Sequence, residues 1–475
     1  MHRRLTLISD ERGMALVLSL MILLIMTALL LALLGISGIE PQISRNLSDT
    51  MRARYLAEAG IEAGYNLLVA TADANATWSA LLVSATTSNP WVAVPGLSDA
   101  TIVGAPSGGA FTVTVRNDFQ AGDTAITGAA PDASPSSDSN RAVIMRSTGT
   151  FSGATKTIEV VVKRIALPPL PGAVNIAGNQ SDTFINTQTF DIDGRDYACA
   201  SNCDTASSWT VSTNPMKYGV MVQPGIQTNL GISYEQNVES AVGTGGGCNA
   251  KCANAKQASI QGRNQSCMSN CTDPSTVTTG LPTIAPDASL SPTVMSRFLG
   301  AVAAAPGTTI LQSTAACPLV LTGSGTPTST PTLTNGCGLN KTIDLGARTA
   351  PKLVYIRGDL DPGGGFTGLR LDSGIKGAGV LIIEDADLQN YGTLAWDGLV
   401  IVSGQYVSSS FMSGSSTTIR GALASIETRA DEAAGSYDFY IDKKVSTYSI
   451  QNSKQNIDMT QVMRALTSLS GWREL

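Results

Sequence analysis

Residues 10–40 read DERGMALVLSLMILLIMTALLLALLGISGIE, a charged tripeptide and a glycine followed directly by a long apolar run. The run from Met14 to Leu34 holds 21 residues without a charge. As a helix it would be about 31 Å long, enough to cross a bilayer. It is longer than the apolar core of a secretory signal peptide, and no A-x-A-like cleavage pattern follows it. Because three arginines precede the run, we expect a retained single-pass helix with a cytoplasmic N-terminus and an exported body.

The helical pattern continues beyond the membrane segment. Apolar residues recur at every fourth position and then continue as a drifting stripe: Ile39, Ile43, Leu47 and Met51, followed by Leu56, Ala59, Ala63 and Leu67. Pro41 is the one helix breaker here, and its ring would clash with the carbonyl four residues earlier. We expect the helix to bend or open near residues 36–37. Such a kink is either tolerated at the membrane surface or melts when the helix enters a protein assembly.

The composition favours an exported, β-rich protein over a cytosolic enzyme. Charged residues make up 14% of the chain, against about 25% in typical soluble domains, and glycine is abundant with 47 residues. The net charge is −6, so no basic surface indicates a nucleic-acid partner. The only histidine is His2, which argues against a histidine-based catalytic site or a histidine-ligated zinc. We therefore expect a protein that is not an enzyme.

Two motifs carry a resemblance to a known family. Residues 11–34, ERG-MALVLSLMILLIMTALLLALL, resemble a class III, prepilin-type leader. In such leaders prepilin peptidase cuts on the cytoplasmic side of the membrane, after the glycine, and methylates the new N-terminus. The resemblance places the cut between Gly13 and Met14, so that the apolar helix is kept as an assembly element. Residues 44–68, SRNLSDTMRARYLAEAGIEAGYNLL, are similar to the N-terminal region of PilX-type minor pilins of type IV pili.

One position departs from most pilins. The fifth residue after the cut is glutamate in most of the family, where it neutralises the methylated amine of a neighbouring subunit, and here it is Leu18. The resemblance implies a subunit that cannot offer this partner to a subunit above it and that can sit at the top of a stack. PilX-type pilins share the substitution with the K-type pseudopilin of type II secretion, which caps its pseudopilus. The alternative is that Leu18 is only a lipid-facing apolar residue.

The eight cysteines favour disulfides in an oxidising compartment. They form four sequence-local pairs, three of them spaced C-x3-C: Cys199 and Cys203, Cys248 and Cys252, Cys267 and Cys271, and Cys317 and Cys337. Pairing by proximity is one of the roughly 105 connectivities that eight cysteines allow. A metal site is the alternative, although structural zinc usually takes C-x2-C spacing.

One short segment is a candidate metal site. Residues 191–196 read DIDGRD and place Asp191, Asp193 and Asp196 around a turn-forming glycine. Carboxylates at alternate positions can converge on a hard cation, so calcium is the one cofactor that we consider. The full EF-hand loop with its closing glutamate is missing, and a solvated polar turn is the alternative reading.

The order of segments predicts an α+β fold: a long N-terminal transmembrane and pilin helix packed on a small antiparallel sheet, followed by a large β-rich module that is partly β-solenoid. Apolar strand-sized segments near residues 352, 380, 399 and 419 indicate the solenoid rungs, with a β-sandwich as the alternative. The predicted divisions are a leader (1–13), the helix (14–70), a pilin-like β head (71–165), a Pro-rich linker (166–173), a cysteine-containing Ser/Thr/Gly-rich region (174–346), and a solenoid-like domain (347–475) whose last residues, 456–475, form a helical cap.

Together these features predict a non-catalytic minor pilin that primes or caps type IV pilus assembly at the tip and presents its large module outward. The resemblance implies an inner-membrane protein with a periplasmic body that moves to the pilus tip at the cell surface. It also implies the partners, namely prepilin peptidase, other minor pilins, the major pilin and a PilY-type tip adhesin. The alternatives are a K-type pseudopilin, a tip adhesin or carbohydrate-binding module, and a polysaccharide-acting enzyme on a β-helix.

Overall fold

A computed structural model of the chain describes residues 11–71, 77–97, 108–178, 182–228, 230–243, 248, 250–263, 283–359, 368–405, 407–428 and 437–475. These residues form an N-terminal head, which includes the long helix, and a large β module. The head comprises α1 (Glu11–Ala70), α2 (Ser79–Leu82), β1 (Val92–Ala93), β2 (Gly109–Asn117), α3 (Thr124–Thr127), β3 (Ala142–Phe151), β4 (Ala154–Arg164) and the last strand of the chain, β26 (Thr467–Glu474).

The head is a helix packed on an antiparallel sheet, as the sequence predicted. The strands are ordered β1-β2-β3-β4-β26, and the C-terminal half of α1 covers one face of the sheet. Apolar and polar residues alternate along β2 because one face of the sheet packs on the helix. Its apolar residues Phe111, Val113 and Val115 are buried beneath α1. A hairpin joins β3 to β4 through Ser152 and Gly153, which both adopt left-handed conformations.

Small residues bring α1 into direct contact with the sheet. Ala53 and Ala57 are fully buried against β3, where a Cβ at Gly149 would lie 2.1 Å from the backbone oxygen of Ala53. One turn further along α1, a Cβ at Gly60 would lie 2.2 Å from the Ser147 hydroxyl oxygen. The AEAGIEAG segment is therefore rich in small residues because the helix backbone lies almost on the strands.

The module contains twenty-one strands within the described residues. They are β5 (Gly172–Ile176), β6 (Thr183–Ile185), β7 (Asp191–Asp193), β8 (Tyr197–Cys199), β9 (Trp209–Val211), β10 (Tyr218–Val222), β11 (Ile260–Gln261), β12 (Ile284–Pro286), β13 (Ile310–Gln312), β14 (Leu319–Thr322), β15 (Thr332–Thr334), β16 (Asn340–Thr342), β17 (Lys352–Arg357), β18 (Leu369–Asp372), β19 (Gly374–Glu384), β20 (Leu388–Asn390), β21 (Thr393–Gly404), β22 (Ser409–Phe411), β23 (Ser416–Glu427), β24 (Phe439–Ile441) and β25 (Thr447–Asn452). Its helices are α4 (Tyr234–Val242), α5 (Ala250–Ala258), α6 (Pro292–Ala303) and α7 (Lys454–Gln461).

From β17 to β25 the chain alternates between two sheets, in each of which these strands pair in parallel, and this gives the module a solenoid-like winding. The first sheet has the order β11-β7-β25-β23-β21-β19-β17-β13, and the second has the order β16-β15-β14-β18-β20-β22-β24-β6. One apolar core fills the space between the sheets, and a second core covers the outer face of the first sheet beneath α6. The long strands are continuous apolar runs because both of their faces are buried.

A stack of glycines fixes the register of the long strands. Gly379 pairs with Gly398, which pairs with Gly421, and all three adopt positive φ angles of 120°, 134° and 147°. A Cβ at Gly398 would lie 2.2 Å from the Gly379 oxygen, so a side chain is excluded by strain and by contact. Successive rungs differ in length. Val380 pairs with Leu399, 19 residues later, whereas Leu399 pairs with Ala422, 23 residues later.

Three predicted divisions differ from the structure. The boundary at residue 346 does not separate domains, because β6 and β7 pair with β24 and β25 in the shared sheets. The predicted helical cap at 456–475 is wrong, because α7 is followed by β26, which pairs with β4 in the head sheet. The Pro-rich linker is a packed segment rather than a free spacer, since Pro168 and Leu170 are buried and the amide of Ile165 donates to the Leu466 carbonyl at 2.7 Å.

Candidate assembly helix and its anchoring in the head

The N-terminal half of α1 projects from the head as an exposed apolar rod. Its residues from Met14 to Leu34 and from Ile39 to Leu47 are exposed, with Met14 and Leu18 at 75% and 63%. Among the described residues, α1 is the one helix long and apolar enough to cross a membrane. A side-chain surface of this size needs an apolar environment, either lipid or neighbouring helices.

The predicted processing and assembly residues all lie on this rod. Gly13 and Met14 are within the first turns of α1, and Leu18 follows one turn later. Pro41 lies inside a helix that is continuous from Glu11 to Ala70, so the opening predicted near residues 36–37 is absent here. A proline removes one backbone hydrogen bond and crowds the preceding turn of the helix. A bend at this point therefore stays a prediction.

The C-terminal end of α1 is held by the last segment of the chain. The Tyr65 hydroxyl donates to the buried Thr467 carbonyl at 2.6 Å. Arg464 forms an ion pair with Glu62 at 2.8 Å, and its guanidinium lies over the Tyr65 ring at 4.9 Å. Residues of the PilX-like motif thus contact residues that follow the whole module, which local sequence patterns cannot show.

A buried arginine closes the end of α1. The guanidinium of Arg164, at the end of β4, donates to the carbonyls of Leu68 and Val69 at 3.0 and 3.1 Å. It also lies over the Trp78 ring, at 4.6 Å from the centroid. The terminal carbonyls of a helix carry partial negative charge, so a cation there satisfies them and stabilises the helix end. The orientation of the rod relative to the head is therefore fixed by several independent contacts.

The last strand is joined to the sheet by a buried carboxylate. Glu159 of β4 is 1% exposed and accepts hydrogen bonds from Arg146 of β3 at 2.7 Å and from Arg473 of β26 at 2.6 Å. At the edge of the head, Glu474 pairs with Lys156 at 2.8 Å. A buried carboxylate requires such cations, so β26 belongs to the folded head.

The cysteines lie in the module, away from the assembly helix. Disulfides join Cys199 to Cys203, Cys248 to Cys252, and Cys317 to Cys337, with Cα–Cα distances of 5.7, 5.3 and 5.6 Å. No cysteine in the described part of the chain is free. Cys267 and Cys271 lie outside the described residues.

The three aspartates of the candidate calcium site have separate protein partners. Asp193 is fully buried and pairs with Arg195, while Asp191 accepts from Ser449 at 3.2 Å. Asp196 accepts from the amide of Lys454 at 2.6 Å. In the parts of the chain that the structure describes, no group of three or more His, Cys, Asp or Glu side chains is placed to hold a metal ion. The aspartates do not fit a calcium site, and they join β7 and the following turn to β25 and α7.

One comparison with known protein families agrees with the resemblance over the N-terminal helix. Residues 12–62 match the model of the PilX N-terminal family. Among solved structures, the chain is similar to the competence-associated pilin ComZ from Thermus thermophilus at 12% identity and a TM-score of 0.24, over 90% of this chain and 97% of that chain. No curated protein matches the chain. Over residues 12–62, the chain is therefore similar to the PilX-type minor pilins of type IV pili, which confirms the resemblance seen in its sequence.

Proposed function

We propose that the chain is a non-catalytic minor pilin that acts at or near the tip of a type IV pilus, where it primes or caps assembly and presents its β module outward. The observation that supports this most directly is the apolar rod, an exposed part of α1 that carries no charge from Met14 to Ile39 and is joined to a folded head. Such a rod is stable in the inner membrane before assembly and among other pilin helices afterwards.

Leu18 supports a terminal position in the fibre. A charged side chain at the centre of a membrane helix costs about 2.5–3.5 kcal/mol, and a glutamate nearer the end of the apolar run is also unfavourable unless a cation neutralises it. A subunit with leucine at this position does not need an amine from another subunit. It also offers no carboxylate to the N-terminal amine of another subunit. It is therefore suited to the end of a stack, where no subunit above has to be matched.

The first experiment determines the mature N-terminus by mass spectrometry, in cells with and without prepilin peptidase. We expect a methylated Met14 in the presence of the peptidase and an intact Met1 in its absence. An intact Met1 in both strains would rule out the pilin assignment.

The second experiment tests the position in the fibre with Leu18→Glu, and Leu18→Gln is the matched control because it has the same shape without the charge. We expect Leu18→Glu to raise the number of copies per sheared pilus and Leu18→Gln to leave it unchanged. Equal copy numbers in both variants would show that the missing carboxylate does not set the position. Absence of the protein from pili altogether would favour the pseudopilin alternative.

A further inference from the structure

A cleft of about 370 Å³ lies at the β6 end of the second sheet, bordered by α4 and α5. We call it the β6 cleft and define it by Thr183, Phe184, Asn186, Gln188, Tyr437 and two lysines, Lys256 and Lys443. It is remote in the chain from α1 and takes no part in the proposed assembly. Its volume is that of a small-ligand site.

One wall of the β6 cleft is aromatic and held in place. The rings of Phe184 and Tyr437 are stacked with centroids 4.8 Å apart and planes inclined by 28°. Tyr440 stacks on Phe184 from the neighbouring strand at 5.6 Å, which fixes the orientation of the pair. Tyr437 nevertheless remains 38% exposed. The wall therefore offers a fixed apolar surface with a polar hydroxyl, a combination that suits ligands with an apolar face and a polar rim.

Among the described residues that line the cleft, one hydroxyl is buried without a hydrogen-bond partner, and two side-chain amides lie near it in the chain. Thr183 is only 7% exposed, and its buried hydroxyl has no hydrogen-bond partner among the described residues. A buried hydroxyl without a partner is costly, so a ligand that supplies one would be favoured. The side-chain amides of Asn186 and Gln188 also line the cleft, and each can both donate and accept a hydrogen bond.

The cleft is positively charged in a protein whose net charge is −6. Lys256 is 6% exposed and donates to the carbonyls of Ile185 and Ala241 at 2.6 and 3.2 Å. An ammonium has three donors, so one remains, and burial lowers the pKa of Lys256. Lys443 is exposed at the rim, and no described residue that lines the cleft is acidic. An anionic group would complete this charge distribution.

We propose that the β6 cleft binds an acidic sugar, a pyranose that carries a carboxylate. The apolar face of the ring packs on Tyr437, and the hydroxyl rim meets Thr183, Asn186 and Gln188. The carboxylate lies towards the two lysine ammonium groups. Hexuronic acids and sialic acids share this chemistry, and the experiment distinguishes them. The inference is independent of pilus assembly, because binding is measured on the isolated chain.

The test uses the full chain in detergent micelles and isothermal titration calorimetry. The probes are trigalacturonate and 3′-sialyllactose, with maltotriose and lactose as their neutral counterparts. We expect one acidic probe to bind at least tenfold more tightly than its neutral counterpart, and more weakly as salt is raised. Tyr437→Ala should weaken binding at least tenfold, and Lys443→Gln should reduce the salt dependence.

Tyr391→Ala is the matched control, because Tyr391 is 39% exposed and contacts Arg370 outside the cleft. It should bind as the unmodified chain does, and circular dichroism checks that every variant is folded. The proposal is overturned if neither acidic probe binds more tightly than about 1 mM, or if neutral sugars bind equally well. It is also overturned if folded Tyr437→Ala retains full affinity or if Tyr391→Ala loses as much as Tyr437→Ala.

Discussion

The substitution Gly149→Ala tests whether the rod is anchored by direct backbone contact between α1 and the sheet. The added methyl group would lie 2.1 Å from the Ala53 oxygen and 2.4 Å from the Ala57 nitrogen. Both are backbone atoms of a helix, so no side-chain rotation relieves the overlap. The helix must move away from β3, which loosens the contacts of Leu56 and Phe151 in the same cluster.

The expected loss of stability is at the upper end of the range for overpacking. Extra methyl groups in tight cores usually cost about 1–3 kcal/mol when side chains can adjust. Because a whole helix has to shift here, we expect about 3 kcal/mol for the head. The head without the rod holds about 125 residues, for which this corresponds to a fall in Tm of roughly 11 °C.

The assay is thermal unfolding of the full chain in detergent, followed by circular dichroism, together with trypsin cleavage after Arg52 and Arg54. Gly149→Ala should lower the Tm of the head transition and speed cleavage at these sites. The control is Gly300→Ala in α6, where nothing lies within 4 Å of the new methyl group. Alanine there should stabilise the helix by about 0.5–1 kcal/mol. An unchanged Tm for Gly149→Ala would refute the close packing described here.

The remaining predictions concern the closure of the head. Tyr65→Phe removes the donor to the Thr467 carbonyl and should cost about 1–2 kcal/mol in thermal unfolding, whereas Tyr55→Phe, at a site 61% exposed, should cost nothing measurable; equal losses would contradict this role. Burial raises the pKa of Asp118 from 3.8 to about 6. The folded state therefore favours the protonated carboxyl group, and the free energy of unfolding should fall by at most about 3 kcal/mol as pH rises from about 4 to 6. Asp118→Asn should remove this pH dependence, which unfolding curves recorded at several pH values would measure. Replacing residues 165–466 by Asn-Gly should leave a folded head, because Arg164 pairs directly with Thr467 and a two-residue turn can join the two strands. Loss of the sheet signal in circular dichroism would contradict this prediction.

The sequence determined α1 and the head sheet well because their patterns are local. The alternation from Phe111 to Val115 and the turn at Ser152 and Gly153 both reflect a sheet with one buried face. The small residues of the PilX-like motif matched a family, but their physical reason became visible only with Gly149 placed against Ala53. Contacts between a helix and a distant strand have no signature in a single sequence.

The module was harder to predict for two reasons. The strands of the first sheet were predicted from their apolar runs. The length of each rung was not, because it depends on which glycines stack, as Gly379, Gly398 and Gly421 do. The strands of the second sheet that face the rungs are only three or four residues long, such as β20 and β22, and too short to show a period. The PilX-like leader and Leu18 came from the sequence alone, whereas the β6 cleft joins residues from segments far apart in the chain and required the structure.

The error at the C-terminus carries the most information about how the protein is built. The segment SLSGWREL has no strong strand pattern, and its partner β4 precedes the whole module, so only tertiary pairing makes it a strand. Since β26 follows the module, the module is an insertion between two neighbouring strands of the head. Both of its ends leave from the same place, where Arg164 faces Thr467. A pull on the module therefore loads β4 and β26 together instead of peeling one from the other, and the contacts of Arg464 and Tyr65 pass that load to α1. A large exported module is thus attached to the rod through the head sheet as a unit, rather than through a single flexible linker.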